Sequence, residues 1–493
     1  MSKPFYITTT LPYVNATPHI GFALEIVQAD AIARYKYLTG YDVFFNTGTD
    51  EHGQKIWQKA MESGQDPQAY TDVYAAKFKE LKDVLHLWPE CHFIRTTDPH
   101  HKAAAQEMWR RCKAAGAIYK KDYQVKYCVG CELEKTDSEL VNGECPLHPG
   151  KPLELREEEN YFFQLSKYQD QLAELYAKQD LVLPDYRLNE IRSLITEKGL
   201  QDFSISRPKA KMPWGIEVPD DSEHVMYVWF DALVNYISTI GWPHSAEATR
   251  GTPAEVDEFA RFWNGTPDCV QVAGKDQVRQ QACMWQAMLM AAGLPRTGKI
   301  FIHGFITSGG QKMSKSIGNV VDPVTIVNEY GAEALRYFLL RHIHPTEDSD
   351  FTMERFAEAY NADLVNGLGN LTARIMKMAE AHLHEPVQVN DKLSEASTPA
   401  LMLADLMRIY QFDGAMSLIW TGIADLDLKI TTAKPFSVVK TEPEKGKEII
   451  TDLVRRLNDI ALMLEPFMPA TSDIIKNAVK TNTKPENMFP RKG

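Results

Sequence analysis

Two lysines stand three positions apart in Ser308-Gly309-Gly310-Gln311-Lys312-Met313-Ser314-Lys315-Ser316. Ammonium groups are compact cations that can follow and neutralise phosphate charge. The glycine pair and the serines predict a mobile loop, which suits a polyphosphate whose charge peaks in a transition state. A bare Lys-x-x-Lys is ordinarily a solvated basic loop, so it needs a partner before it implies chemistry. One candidate lies some 290 residues earlier, in Pro18-His19-Ile20-Gly21. His19 there opens a helix, whose free N–H groups and positive dipole end attract anions, and its imidazole can donate to a nucleotide phosphate. Taken singly, such a histidine is more often a cap or a packing residue.

A second kind of chemistry is written in Cys128-Val129-Gly130-Cys131, thirteen intervening residues, and Cys145-Pro146-Leu147-His148. Two pairs, each with two residues between ligands, have the spacing of a tetrahedral Cys₃His zinc knuckle, because each tight turn aims two side chains at one ion. Four protein ligands leave no open position, so the zinc is expected to be structural and one per chain.

The elements that must carry these residues follow an α/β pattern. Phe5 to Thr9 reads as a buried strand, Leu11 to Thr17 as a turn-rich loop, and Phe22, Ile26, Ala29, Ala33 and Tyr37 as the face of a helix closed by Gly40. Val43 to Asn46 supplies a second strand and completes a βαβ unit. The pattern breaks from about Gly116 to Gln201, then resumes with the aromatic stretch Tyr227 to Tyr236. Strands follow near Cys269 to Val272 and Ile300 to Phe305, with a turn at Gly274-Lys275-Asp276 and a helix at Trp285 to Ala292 between them. After Pro323 strand signals nearly vanish. Leu335, Phe338 and Leu339 share a helical face, as do Leu364, Leu368 and Leu371, and Val454, Leu457, Ala461 and Leu464, which describes a helical bundle.

Length and charge set the outer limits. The 493 residues exceed one ordinary core and predict two to four domains. A net charge of -12 argues against indiscriminate nucleic-acid binding, yet residues 431–493 hold 11 Lys/Arg against 8 Asp/Glu, so any RNA contact should be local. Seven cysteines, three of them in one short segment, fit metal binding in a reducing compartment rather than a disulfide framework. No signal-peptide pattern and no membrane-length apolar run occur, which predicts a cytoplasmic protein without a membrane partner.

The lysine string Lys312-Met313-Ser314-Lys315-Ser316 and Pro18-His19-Ile20-Gly21 are similar to the two nucleotide signatures of class I aminoacyl-tRNA synthetases, in their usual order. Adding Asn46-Thr47-Gly48-Thr49-Asp50-Glu51-His52-Gly53, Trp229-Phe230-Asp231-Ala232, the knuckle and the helical C-terminal third, the chain resembles the methionyl-tRNA synthetases over essentially its whole length. Leucyl, isoleucyl and valyl enzymes carry a far larger editing insertion than the roughly 85 residues available between 116 and 201.

The resemblance implies an α/β Rossmann-type catalytic domain in two halves, 1–115 and 202–322, split by a knuckle-bearing insertion at 116–201. A stem-contact linker at 323–350 and an all-α anticodon-binding bundle at 351–493 complete it. It implies a ligase that activates methionine with Mg·ATP to methionyl-adenylate and pyrophosphate, then charges methionine tRNA for initiation and elongation. By matching position, Leu11, Tyr13, Trp229, Ala232, Tyr236, Gln277, Gln281 and Trp285 should line the methionine pocket, with Asp50 on the amino group. His19, Glu25, Gly274, Asp276, His303, Lys312 and Lys315 should hold ATP, Arg207 should assist near the reacting phosphate, and Asn370, Arg374 and Phe436 should read the anticodon. His19, Asp50, Arg207, Lys312 and Lys315 are the residues expected to carry catalysis.

Four positions depart from the family pattern: Phe22 replaces a histidine of the first signature, Gln277 and Gln281 replace isoleucine and histidine, and Phe436 replaces a tryptophan. The chain stops soon after the bundle, without a dimerising module, and is expected to be a monomer. Two other classes compete. A small-molecule adenylyltransferase would share the histidine signature but have no use for the bundle; a non-catalytic RNA-binding homologue would have no reason to keep Lys312, Lys315, Asp50 and His19.

Overall fold

The computed structural model describes residues 2–131, 133–135, 140–243, 257–263, 268–313, 319–394 and 397–492. Strands β1 (Pro4–Thr9), β2 (Asp42–Thr49) and β3 (His92–Arg95) come from the first stretch of chain. Strands β4 (Ile118–Cys128) and β5 (Glu154–Phe163) pair antiparallel in a sheet of their own. Strands β6 (Val182–Leu183), β7 (Cys269–Gly274) and β8 (Lys299–His303) rejoin the first three in a six-stranded parallel sheet of order β3-β2-β1-β7-β8-β6. Strand β1 is buried from Phe5 to Thr9, as expected of a parallel strand covered on both faces.

The chain order reverses between β1 and its two neighbours β2 and β7. Ligands bind open α/β sheets in the crevice beyond the carboxyl ends of the strands at such a switch point. Thr10 follows β1, Asp50 follows β2, Gly274 ends β7 and His303 ends β8, so the strands themselves deliver the cleft.

The helix Ile20–Leu38 starts one residue after His19 and is buried almost all round from Ile20 to Ala33. A helix buried on every side belongs between two packed layers, its buried polar residues paired within them. Here the layers are the sheet and the C-terminal helices: one hydrophobic core runs from Phe5 through Leu335 and Leu457 to Phe489. Arg336, fully buried, ties these layers together, pairing with Asp30 at 2.7 Å and donating to the carbonyls of Phe467 and Leu85. The three apolar faces read from the sequence are all within this core. Among the described residues after Pro323, one strand occurs, Ser349–Phe351, and it pairs parallel with Ile306–Ser308.

The insertion is less self-contained than its sequence boundaries imply. Val182–Leu183 lies inside the span 116–201 yet edges the main sheet on β8, while Phe203–Ser204, just beyond that span, pairs with β5 in the insertion sheet. Two-residue strands carry too little pattern to be read from the sequence.

Candidate active site

A cavity of about 310 Å³ opens where the strand ends converge. Its lining includes Leu11, Tyr13, Asp50, Trp229, Ala232, Tyr236, Gln277 and Gln281, all expected around methionine, and His19, Glu25, Gly274, Asp276 and His303, all expected around ATP. Residues up to 292 positions apart in sequence thus share one concavity, of the size at which ligand pockets begin.

Each wall has a local cause. His19 is the N-cap of the Ile20–Leu38 helix: its Nδ1 accepts from the Gly21 N–H at 3.1 Å, which leaves Nε2 as the ring's donor. Capping and lining the cleft are therefore two uses of one side chain. Glu25, one turn further along, is gripped on both oxygens. Oε1 accepts from the Thr10 backbone N–H at 2.7 Å and hydroxyl at 2.6 Å, and Oε2 meets His303 Nε2 at 2.8 Å. His303 Nδ1 donates to the Gly304 carbonyl. Burial opposes charge on this imidazole, but the Glu25 hydrogen bond and charge outweigh it and raise its pKa, with Gly304 and Asp276 adding to the effect. Gly274 leaves room for Asp276, whose Oδ1 would lie 2.9 Å from a Cβ there and would have to shift.

Asp50 is 5% exposed and held by its backbone, its N–H donating to Pro12 O and its carbonyl accepting from Val14 N. The Leu11–Tyr13 loop is thus fixed against the end of β2. Tyr236 accepts from Gln281 Nε2 at 2.7 Å, and burial pushes its phenol up, so it keeps its O–H to donate. Gln281 Oε1 is buried without a partner in the same lining. Phe22 packs edge-on against Phe78 with centroids 5.3 Å apart while also touching the cleft, so the position lost to histidine is filled by core packing.

Two expected residues stand elsewhere. Trp285 is fully buried behind Tyr236, edge-on at 5.7 Å, and supports the wall instead of lining it. Arg207 is also outside the lining; its Nη1 donates to Ser204 Oγ and the Ser206 carbonyl, and its guanidinium lies on the Tyr227 ring at 4.2 Å. The lysine loop is firmer at its base than the glycine pair predicts. Gly309 and Gly310 have φ of 63° and 72° and close a hairpin between Ile306–Ser308 and Gln311–Lys312, the turn that such pairs favour. Asp350 Oδ1 fixes it by accepting from the Gly310 N–H and Thr307 hydroxyl, both at 2.8 Å. Met313 reaches the cleft lining; Lys315 lies outside the described residues.

The sequence reading missed Thr10, which holds Glu25 from 15 positions away, and Gly304, which accepts from the adjacent His303 ring. Neither carries a local signal.

In the insertion, ligand atoms of Cys128, Cys131, Cys145 and His148 all lie within 4.8 Å of one another. Cys131 Sγ is 3.4 Å from Cys145 Sγ and 3.2 Å from His148 Nδ1, while Cys128 Sγ is 3.7 Å from that nitrogen. Donors about 3.8 Å apart are what tetrahedral bonds of about 2.3 Å require, so the cluster can hold a metal ion. A Cβ at Gly130 would meet the His148 ring at 2.5 Å, so only glycine lets the ring close over the turn.

On the helical side, Asn370 opens the helix Asn370–His382 and is exposed. Arg374, one turn on, pairs with Asp427 of the helix Phe412–Ala433. Phe436, in the helix Pro435–Thr441, is 47% exposed, which removes the reading that it packs the bundle core.

A doubly wound parallel sheet, a cleft at its switch point and a lysine hairpin beside it define the architecture of a class I aminoacyl-tRNA synthetase. The family described as tRNA synthetases class I (M) matches residues 5–150 and 138–376. The methionine–tRNA ligase of Thermotoga maritima is 41% identical over 98% of this chain and 76% of its own. That of Thermosynechococcus vestitus is 40% identical over 96% and 90%. Methionyl-tRNA synthetase of Mycobacterium tuberculosis, solved with methionyl-adenylate, superimposes with a TM-score of 0.85 at 35% identity, covering 100% of this chain and 99% of that one. The free enzyme from the same organism gives 0.81 at 32% identity with the same coverage. The chain belongs to the methionine–tRNA ligase family.

Proposed function

We propose that this chain is a methionine–tRNA ligase, acting on methionine, ATP as its magnesium complex, and methionine tRNA. The observation that carries the reading is the single cleft in which Asp50 and the wall of Leu11, Tyr13, Trp229, Ala232 and Tyr236 adjoin His19, Glu25, Asp276 and His303. A flexible thioether is well served by polarizable aromatic surroundings, and one buried carboxylate can meet one ammonium.

In the first step the methionine carboxylate oxygen attacks the α-phosphorus, the bond to the bridging oxygen breaks, and pyrophosphate leaves. In the second a ribose hydroxyl of the tRNA terminal adenosine attacks the adenylate carbonyl, loses its proton and releases AMP. No protein nucleophile is needed; positioning and charge stabilisation supply the rate. Asp50 orients the amino group, Asp276 holds the ribose, His19 and the two lysines meet phosphate oxygens, and His303, whose ring nitrogens are committed to Glu25 and Gly304, shapes the ATP side of the cleft. Asn370, Arg374 and Phe436 read the anticodon.

The knuckle donors favour zinc over harder metals. Four protein ligands make it a structural site whose loss loosens the insertion. Metal analysis of freshly purified, chelator-free protein should find one zinc per chain; none would overturn that assignment. No described helix is long and apolar enough to cross a membrane, which fits a cytoplasmic protein, and a monomer is the expected state.

Pyrophosphate exchange measured with each of the twenty amino acids should respond to methionine far above the rest. Exchange that ignores methionine would sink the reading.

A further inference from the structure

Behind the cleft wall runs a buried chain of polar side chains. His52 Nδ1 lies 2.6 Å from Asp231 Oδ2, His101 Nε2 lies 2.9 Å from Asp231 Oδ1, and His101 Nδ1 lies 2.9 Å from Ser238 Oγ. None of the four residues is more than 2% exposed. An ionised carboxylate only accepts, so His52 Nδ1 and His101 Nε2 are the donors. Burial would push the Asp231 carboxyl up, but the two imidazoles outweigh it and hold it at about 2, so the acceptor stays charged across the neutral range.

The members of this chain are neighbours of the residues that line the pocket. His52 follows Asp50 by two positions, Asp231 stands between Trp229 and Ala232, and Ser238 follows Tyr236 by two. Asp50, Trp229, Ala232 and Tyr236 all face the cavity. His101 comes from the helix Pro99–Ala114 and braces the short helices Val228–Leu233 and Asn235–Ser238 from behind. The nucleotide side, with His19, Glu25, Gly274, Asp276 and His303, is built from other segments.

We propose that Asp231, gripped by His52 and His101, is a positioning centre for the amino-acid half of the cleft: it sets the spacing between Asp50 and the aromatic wall without touching substrate. The proposal rests on the methionine reading above. A cluster that only stabilised the fold would affect both substrates alike, whereas a positioning centre acts on methionine.

The histidines use different ring nitrogens, which gives a matched rescue. An asparagine amide nitrogen reproduces Nδ1 and a glutamine amide nitrogen reproduces Nε2. In methionine-dependent pyrophosphate exchange, His52→Leu and His101→Leu should raise the methionine KM at least about tenfold, with the ATP KM within about twofold. His52→Asn and His101→Gln should keep the methionine KM within about threefold, whereas the swapped His52→Gln and His101→Asn should behave like the leucine variants. Calorimetric titration with methionine alone should give the same order. If the leucine variants do not fold, the four amide variants carry the comparison. Equal rises in both KM values, or no difference between matched and swapped amides, would overturn the proposal. A wild-type enzyme that ignores methionine overturns the functional reading itself; a methionine-responsive wild type without the split overturns only the positioning role.

Discussion

In the cleft, recognition groups are held before any ligand arrives: Glu25 is bonded on both oxygens, Tyr236 takes the Gln281 amide, and Asp50 is fixed by two backbone hydrogen bonds. On the helical face, Asn370 and Phe436 are exposed, and Arg374 is held by one ion pair with Asp427, whose side chains are 38% and 52% exposed. On the proposed roles, the contrast follows from ligand size. A cavity that encloses a small ligand buries polar groups, and burial favours holding them by partners within the fold. A surface that meets a folded RNA can leave its residues solvated and order them on contact, and an exposed ion pair holds them only weakly. Substitutions in the cleft should therefore alter chemistry or amino-acid affinity, and substitutions on the helical face should alter RNA affinity alone.

The largest expected effect concerns the lysine loop. Lys315→Ala should slow adenylation by about 10²-fold or more, the loss of one charged transition-state contact, while methionine affinity changes little. Single-turnover adenylation kinetics check this, and a normal rate with weakened methionine binding would break it. Next comes Phe436→Ala. Splaying a base onto an aromatic face is worth ~1–3 kcal/mol, so kcat/KM for tRNA charging should fall roughly 10- to 100-fold with pyrophosphate exchange unchanged. An equal loss in both reactions, with a lower melting temperature, would erase the distinction between the two regions.

Smaller effects sharpen the account of the cleft. Gln281→Leu removes the donor to Tyr236, and one such hydrogen bond contributes about 0.5–1.5 kcal/mol, so the methionine KM should rise about 2- to 10-fold. Steady-state exchange with methionine varied would reveal an unchanged KM if the contact were idle. The smallest effect concerns pH. His303 has a raised native pKa, so its contact with Glu25 contributes fully below the unfolded value of 6.5 and fades as pH climbs through the native one. His303→Gln should thus lower the melting temperature more at pH 6 than at pH 9; calorimetry showing the reverse would remove the charged His303–Glu25 pair.

Much of the site was legible because it is local. The helix opened by His19 and the paired knuckle ligands are each set within a few residues, and the structure places them as their spacing implies, whereas the glycine pair before Lys312 closes a hairpin where a mobile loop was expected. Arg207 and Trp285 were harder. The resemblance implies a place at the pocket for each, but Arg207 bonds to its own strand and lies on the Tyr227 ring, and Trp285 is shielded by Tyr236. The fate of Phe436 was open as well, since a phenylalanine between helices reads equally as core or surface until its exposure is seen.

What the sequence determined by itself was everything that depends on periodicity and short spacing: the βαβ start, the apolar faces of the C-terminal helices and the cluster of Cys128, Cys131, Cys145 and His148. Tertiary structure alone decided what depends on contacts between distant segments. Glu25 meets His303 across 278 positions, and Asp231 meets His52 across 179. The physical reason is that burial makes these polar partners obligatory, while their identity is fixed by which strand ends and helices the sheet order brings side by side.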